Sequence, residues 1–178
     1  MYSEFAPFSL KNNTLFSKEF DDLYSSVKGA VAECNHVFIK GNNLNERFEN
    51  LGENSKFYIG EIGFGIGINF LTTCKSWLDH TKQNQVLEFY SFDKYLFRLS
   101  DFIKLNVSCP DLKEYISELE LSYPRNIQGV QKLSLFDGRI ILNLIIGEID
   151  NTQKYIKLMN NIDAWYLDGF SPSKNPDL

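Results

Sequence analysis

The sequence predicts an α/β domain built on a mainly parallel sheet, and three observations carry that reading. A short apolar run, Lys56-Phe-Tyr-Ile-Gly-Glu-Ile62, ends in the glycine turn Gly63-Phe64-Gly65-Ile66-Gly67 and gives way to helical spacing from Ile68 to Leu78. A second apolar run, Val86 to Phe92, follows a polar loop from Asp79 to Gln85 and stops at Asp93-Lys94, completing a βαβ unit. The third is bulk: 178 residues, 43% hydrophobic, with 15 Phe and 9 Tyr, are enough for one core. Strands joined by such a crossover pair in parallel with a right-handed connection, so both end on one rim of the sheet.

The remaining elements follow in order. Thr14 to Phe48 alternates polar breaks with amphipathic stretches, and residues 1–50 are read as a helical and loop extension packed on the domain at 51–178. Within it Val31, Cys34, Val37 and Phe38 form a helical stripe that stops near Gly41-Asn42-Asn43, and His36 between them reads as structural or exposed. Leu99 to Leu121 is mostly helical, interrupted at Cys109-Pro110 because proline disfavours helix at the residue before it. Val130 to Phe136 and Arg139 to Ile146 flank Asp137-Gly138, a hairpin signal, and Gly147-Glu148 closes the second strand. Thr152 to Asn160 is predicted helical, with Tyr155, Ile156 and Met159 inward. Ile162 to Leu167 is a last strand, and it delivers Asp168-Gly-Phe-Ser-Pro-Ser-Lys-Asn-Pro176.

Composition excludes several classes. No stretch approaches the roughly 18 to 20 apolar residues of a membrane span, and the first residues lack a basic and then apolar leader, so a cytoplasmic location is expected. The net charge of −5 argues against blanket affinity for nucleic acid, which rests on Lys and Arg neutralising phosphates. Cys34, Cys74 and Cys109 stand far apart with no histidine cluster beside them, so buried thiols are expected and no metal.

The glycines Gly63, Gly65 and Gly67 let backbone turn sharply and approach a ligand at a helix N-terminus, where free N–H groups favour an anionic group. Their spacing is not the G-x-G-x-x-G of dinucleotide binders, which points to a smaller anion such as the carboxylate of S-adenosylmethionine; a tight structural turn is the plain alternative. Asp93 ends the next strand, where an acid can accept hydrogen bonds from a ribose diol, or stand as a simple strand-end carboxylate. Glu148 ends the third strand and can approach an adenine amino group or point to water, while Glu61, just before the glycines, can face a cofactor ammonium.

Glu61-Ile-Gly-Phe-Gly-Ile-Gly-Ile-Asn-Phe-Leu71, Ser91-Phe-Asp-Lys94, Gly138-Arg139 with its apolar strand to Gly147-Glu148, and Asp163-Ala-Trp-Tyr-Leu-Asp-Gly-Phe-Ser-Pro-Ser-Lys-Asn-Pro-Asp177 together resemble the methyltransferase domain of the MnmC family. The likeness runs from about Phe16 to the end. The resemblance implies a Rossmann-like, doubly wound, mainly parallel fold with S-adenosylmethionine as cofactor. It also implies methyl transfer to the aminomethyl group of 5-aminomethyl-2-thiouridine at the tRNA wobble position. Carried over position by position, it assigns the cofactor to Glu61, Gly63, Phe64, Gly65, Gly67, Asn69, Phe70, Asp93, Lys94 and Glu148. The substrate falls to Asp168, Phe170, Pro172, Lys174 and Asn175, with Asp168 catalytic. Two departures are the family's more usual Glu where Asp93 stands and Asp where Glu148 stands. Some members carry a flavin-dependent oxidoreductase half, which makes such an activity an expected partner beside tRNA.

A methyl transfer to an amine moves positive charge from sulfur to nitrogen, so a carboxylate near the nitrogen stabilises the transition state more than the ground state. An alkyl ammonium has a pKa near 10 and an aspartate near 4, so orientation and electrostatics, rather than proton abstraction, are expected of Asp168; the alternative is a cap of the Gly169-Phe170 turn. Lys94, Arg98 and Arg125 are candidate phosphate contacts or ordinary surface cations. A doubly wound methyltransferase sheet has about seven strands, and the resemblance reaches only the loop after the fourth parallel-type strand. The sequence therefore predicts a domain lacking its C-terminal strands, with a catalytically silent fragment, or a Rossmann-type nucleotide oxidoreductase, as the other readings.

Overall fold

The structure is a computed structural model that describes residues 5–11, 14–19, 22–25, 27–106, 109–124, 128–147 and 161–169. Three short strands open it, β1 (Phe8–Lys11), β2 (Thr14–Ser17) and β3 (Asp22–Ser25), paired antiparallel in that order. Then come α1 (Val27–Cys34), a wider π-type turn over Asn35–Lys40, and α2 (Leu44–Glu49). The main unit follows: β4 (Lys56–Ile62), α3 (Ile68–His80), β5 (Val86–Asp93), α4 (Leu99–Asn106), a single 3-10 turn at Pro110–Leu112, α5 (Lys113–Ser122), β6 (Gly129–Leu135), β7 (Ile140–Ile146) and β8 (Ala164–Leu167).

The five later strands form one sheet in the order β6-β7-β5-β4-β8. β4 pairs in parallel with β5 and β8, and β5 with β7, while β6 is antiparallel to β7. The βαβ unit and the Asp137-Gly138 hairpin stand where the sequence placed them. Phe136, Asp137 and Gly138 all take positive φ, which lets the two strands reverse sharply. β7 is apolar and buried at nearly every position, as expected of a strand covered on both faces, whereas the edge strand β6 is mostly exposed.

Side chains paired across a sheet point to one face. Phe57, Ile59, Leu87, Phe89, Leu142 and Leu144 share the face under the helices. There Phe48 of α2 meets Phe57 and Trp77 edge-on at 5.0 Å each, and Phe89 meets Phe70 at 5.1 Å and Tyr166 at 5.8 Å. Leu15, Cys34, Phe38, Leu44 and Phe48 belong to this same core, so the N-terminal residues are packed on the sheet's helical layer. The opposite face carries a smaller cluster of Ile62, Phe92 and Ile145 beside Tyr90. There the indole of Trp165 lies against Gly60, where a Cβ would stand 2.6 Å from the ring.

Three expectations change. The helical and loop reading of residues 1–50 missed β1 to β3, whose four-residue strands are too short to show a period. Val37, expected inward, is 47% exposed while Ile39 is buried, because the π-type turn adds a residue and rotates the stripe. Helix α3 runs two residues beyond Leu78, to His80, so Asp79 is helical and Lys75 pairs with it at 2.9 Å. The helix expected over 152–160 lies outside the described residues. Among the described residues no helix is long and apolar enough to cross a membrane.

Candidate functional site

From β4 the chain progresses outward to β5 and β7, then returns to place β8 on β4's other side. Ligands of open α/β sheets bind beyond the strand ends at such a reversal of order. Here that crevice lies between the ends of β4 and β8. Gly63, just past β4, has φ +94°, and a Cβ built on it would stand 2.6 Å from the Asp168 carbonyl oxygen beyond β8. Asp168 N–H donates to the Ile62 carbonyl at 3.1 Å, closing the two strand ends together.

The glycine turn is held peptide by peptide. Gly63 N–H donates to Phe92 O at 2.8 Å, Gly65 N–H to Asp93 Oδ2 at 2.8 Å, and Gly67 N–H to Phe64 O at 2.8 Å. Asn106 Nδ2 donates to Ile66 O at 3.0 Å. Gly65 and Gly67 also have positive φ, at +53° and +74°, and Gly67 caps α3, so the turn leads directly to that helix's unpaired N-terminal amides.

Three carboxylates surround the turn. Glu61 is fully buried; Oε2 accepts from the Ser91 hydroxyl, while Oε1 has no hydrogen-bond partner among the described residues. Burial pushes its carboxyl up to about 8, against the opposing pull of the Ser91 hydrogen bond and the nearby Asn69 amide. Asp93 is half-buried and accepts from two backbone N–H groups, of Gly65 and of Tyr95 at 3.1 Å. Desolvation raises it and those backbone bonds lower it. Asp168 Oδ2 accepts from Asn69 Nδ2 at 2.7 Å. Desolvation raises its carboxyl too, with the Asn69 bond opposing, but the residue is exposed by area, which favours a carboxylate at neutral pH.

These groups fit a ligand with an anionic group, a diol and an ammonium. An unpartnered oxygen on a fully buried carboxylate is costly unless a donor arrives, and a cationic amine supplies one. The turn without side chains and the start of α3 suit a small carboxylate. Asp93, held in place by the Gly65 and Tyr95 backbone amides, is the acid that a diol would meet.

Of the residues expected here, the structure brings Glu61, Gly63, Gly65, Gly67, Asn69, Asp93 and Asp168 to the one crevice. Phe64 is buried against Gly67 and 6.3 Å from Phe70, bracing the turn from within. Phe70 is 0% exposed in the main core, under the turn rather than on its open side. Lys94 Nζ is held by Glu19 Oε1 at 2.7 Å, which ties the strand end to the N-terminal sheet. Glu148, Phe170, Pro172, Lys174, Asn175 and Arg125 lie outside the described residues. Cys34, Cys74 and Cys109 are all buried and, among the described residues, form no disulfide and belong to no cluster of possible metal ligands. Sequence reasoning missed Ser91 as the partner of Glu61 and Asn106 as the anchor of Ile66; Ser91 stood in register beside Glu61, whereas Asn106 gave no local signal.

A mainly parallel sheet with a glycine turn, a helix N-terminus and carboxylates at its reversal point defines a Rossmann-like α/β fold. Residues 110–178 match the profile of a family described as S-adenosyl-L-methionine-dependent methyltransferase. By sequence the chain is similar to MnmC proteins across nine-tenths of its length. The tRNA 5-methylaminomethyl-2-thiouridine biosynthesis bifunctional protein MnmC of Hydrogenovibrio crunogenus is 40% identical over 162 residues, covering 91% of this chain and 24% of that protein. The protein of the same name from Pseudoalteromonas translucida is 36% identical over 177 residues, covering 93% and 26%. The chain thus spans about a quarter of the length of these relatives. A crystal structure of MNMC2 from Aquifex aeolicus shares the fold, with a TM-score of 0.64 and 22% identity over 96% of this chain and 52% of that one.

Proposed function

We propose that the chain binds S-adenosylmethionine in the β4/β8 crevice and directs its methyl group to the amine of 5-aminomethyl-2-thiouridine at a tRNA wobble position. The observation that carries the first half is the buried, unpartnered Glu61 oxygen beside three positive-φ glycines. The name of the relatives supports the second half. Glu61 would hold the cofactor's ammonium, the Gly63 to Gly67 turn and the start of α3 its carboxylate, and Asp93 its ribose. Bound there, the cofactor supplies an electrophilic methyl group on a sulfonium.

Asp168 acts on the amine. Its Oδ2 is oriented by Asn69, leaving Oδ1 to accept a hydrogen bond from an incoming N–H. Were the methyl to pass from the sulfonium to the amine nitrogen, leaving the C–S electrons on sulfur, the charge developing on nitrogen would face the Asp168 carboxylate. The excess proton on the product ammonium passes to water. Phe170, Lys174 and Asn175 are proposed to meet the base and the RNA backbone, with Pro172 stiffening their loop, and Glu148 to meet the adenine. tRNA and an oxidoreductase activity that generates the free amine are the partners this reading calls for.

The test is calorimetric titration with S-adenosylmethionine, with NADH as contrast, followed by transfer of labelled methyl to tRNA bearing the aminomethyl group. Binding of NADH alone, or no label in the tRNA, defeats the proposal. Asp168→Asn keeps an oxygen for Asn69 but removes the charge. The turnover rate is expected to fall roughly 10- to 100-fold, the worth of a charge-assisted hydrogen bond, with the dissociation constant of S-adenosylmethionine changed less than about threefold. A rate equal to the parent's removes Asp168 from the reaction.

A further inference from the structure

We infer that Asn106 is a positioning residue of the cofactor site, setting the orientation of the glycine turn through the Ile66 carbonyl without touching the ligand. This rests on the crevice being the S-adenosylmethionine site. Asn106 ends α4 and is 0% exposed. Its Nδ2 donates to Phe102 O in its own helix and to Ile66 O, both at 3.0 Å, the second partner lying 40 positions away in sequence. Its Oδ1 is buried with no partner among the described residues.

An amide with an orphaned oxygen is an expensive way to fill a buried site, since an apolar side chain of the same size avoids that cost. What the asparagine supplies in return is the donor to Ile66. The bond to the helix carbonyl does not explain it, because that carbonyl already lies within reach of the α-helical ladder.

The position of Ile66 gives the bond its consequence. Its carbonyl belongs to the same peptide as Gly67 N–H, and Gly67 is the cap of α3. The peptide turns about ψ of Ile66 and φ of Gly67, and Gly67, a glycine at φ +74°, sets a low steric barrier on its side. Gly65 N–H is fixed by Asp93 on one flank and Gly67 N–H by Phe64 O on the other. The Asn106 bond fixes the carbonyl end of the Ile66–Gly67 peptide, whose N–H end is the one held by Phe64 O. Without it the Ile66–Gly67 peptide can turn over, carrying Gly67 N–H away from Phe64 and misaligning the first amides of α3, which the proposed anionic group needs. A preorganised turn binds more tightly because its ordering is completed before the ligand arrives.

The experiment uses the full chain and the variants Asn106→Leu and Asn106→Asp. Leucine removes donor and orphan together at similar volume; aspartate keeps the oxygen and removes the donor. For each, amide hydrogen exchange is read at residues 65–68 and along β5 without ligand, and the dissociation constant of S-adenosylmethionine is measured by calorimetry. Expected are faster exchange at 65–68 with β5 unchanged, a dissociation constant raised about tenfold or more, and a turnover rate at saturating cofactor within about twofold of the parent. A merely structural residue would instead lower protection across β5 and the turn alike. Parent-like exchange at 65–68 overturns the inference, as does a parent-like dissociation constant. Failure of both variants to fold also overturns it, by making the residue a general requirement of the core. Exchange is read without ligand, so Asn106 is tested even if the parent ignores S-adenosylmethionine, a result that would sink the proposed function instead.

Discussion

Alanine at position 63 is expected to destabilise the protein by roughly 3 to 5 kcal/mol and to abolish cofactor binding. Two costs add. A non-glycine residue held at φ +94° pays roughly 1 to 3 kcal/mol in backbone strain. The new methyl would also stand 2.6 Å from the Asp168 carbonyl oxygen and 3.0 Å from its carbon, and because both are backbone, relief requires β4 and β8 to part. Gly129→Ala separates the terms: its φ is +81°, yet no described residue lies within 4 Å of where its Cβ would stand, so only strain should appear, at about 1 kcal/mol or somewhat more. Urea unfolding of the two variants measures the difference. Equal stabilities would mean that the β4 and β8 ends are not closed on each other as described.

Glu61→Gln is expected to stabilise the ligand-free protein while weakening its affinity for S-adenosylmethionine. In the unfolded chain the carboxyl titrates near 4.5, and in the folded protein burial pushes it up to about 8. Below the lower value both states hold the proton and the group is neutral in its effect. As pH rises between the two, the unfolded chain releases its proton while the folded protein retains it, so the parent loses stability, at about 1.4 kcal/mol per pH unit, until both are ionised. Glutamine has no proton to lose. Its advantage should therefore be absent at pH 4 and reach several kcal/mol by pH 8. Binding shows the reverse: an ammonium requires the ionised carboxylate, so the parent's affinity should rise from pH 6 to pH 8, and the variant's should stay flat and roughly 10- to 100-fold weaker at the upper end. Melting curves and calorimetry across that range check both halves. A stability difference independent of pH would show that Glu61 is ionised in the fold.

How much of this was legible in the sequence depends on the range over which each feature is encoded. The change from the apolar run at Lys56–Ile62 through glycines to helical spacing at Ile68 is entirely local, so strand, turn and helix were readable, and with them the rim that gathers Glu61, Asp93 and Asp168. Asp137-Gly138 was equally local. Val37 was misplaced because a π-type turn breaks the 3.6 period that the reading assumed. β1 to β3 escaped because four residues cannot display an alternation against their polar breaks. The Asn106 bond to Ile66 and the Lys94 bond to Glu19 join residues 40 and 75 positions apart, and no pattern in one chain announces such pairs. The role of Asp93 was half legible: strand register places the acid, but only the folded turn shows Gly65 resting on it.

The seat of Trp165 on Gly60 gives the molecule an optical reporter of its own. The chain has two tryptophans. Trp77 is sealed in the core, while Trp165 is 36% exposed and stands three positions before Asp168. Acrylamide should therefore quench one emitter and spare the other, giving a downward-curving Stern–Volmer plot that straightens in Trp165→Phe. The quenchable fraction of the light comes from the strand that ends at the crevice, so its intensity can follow ligand entry in real time without any attached dye.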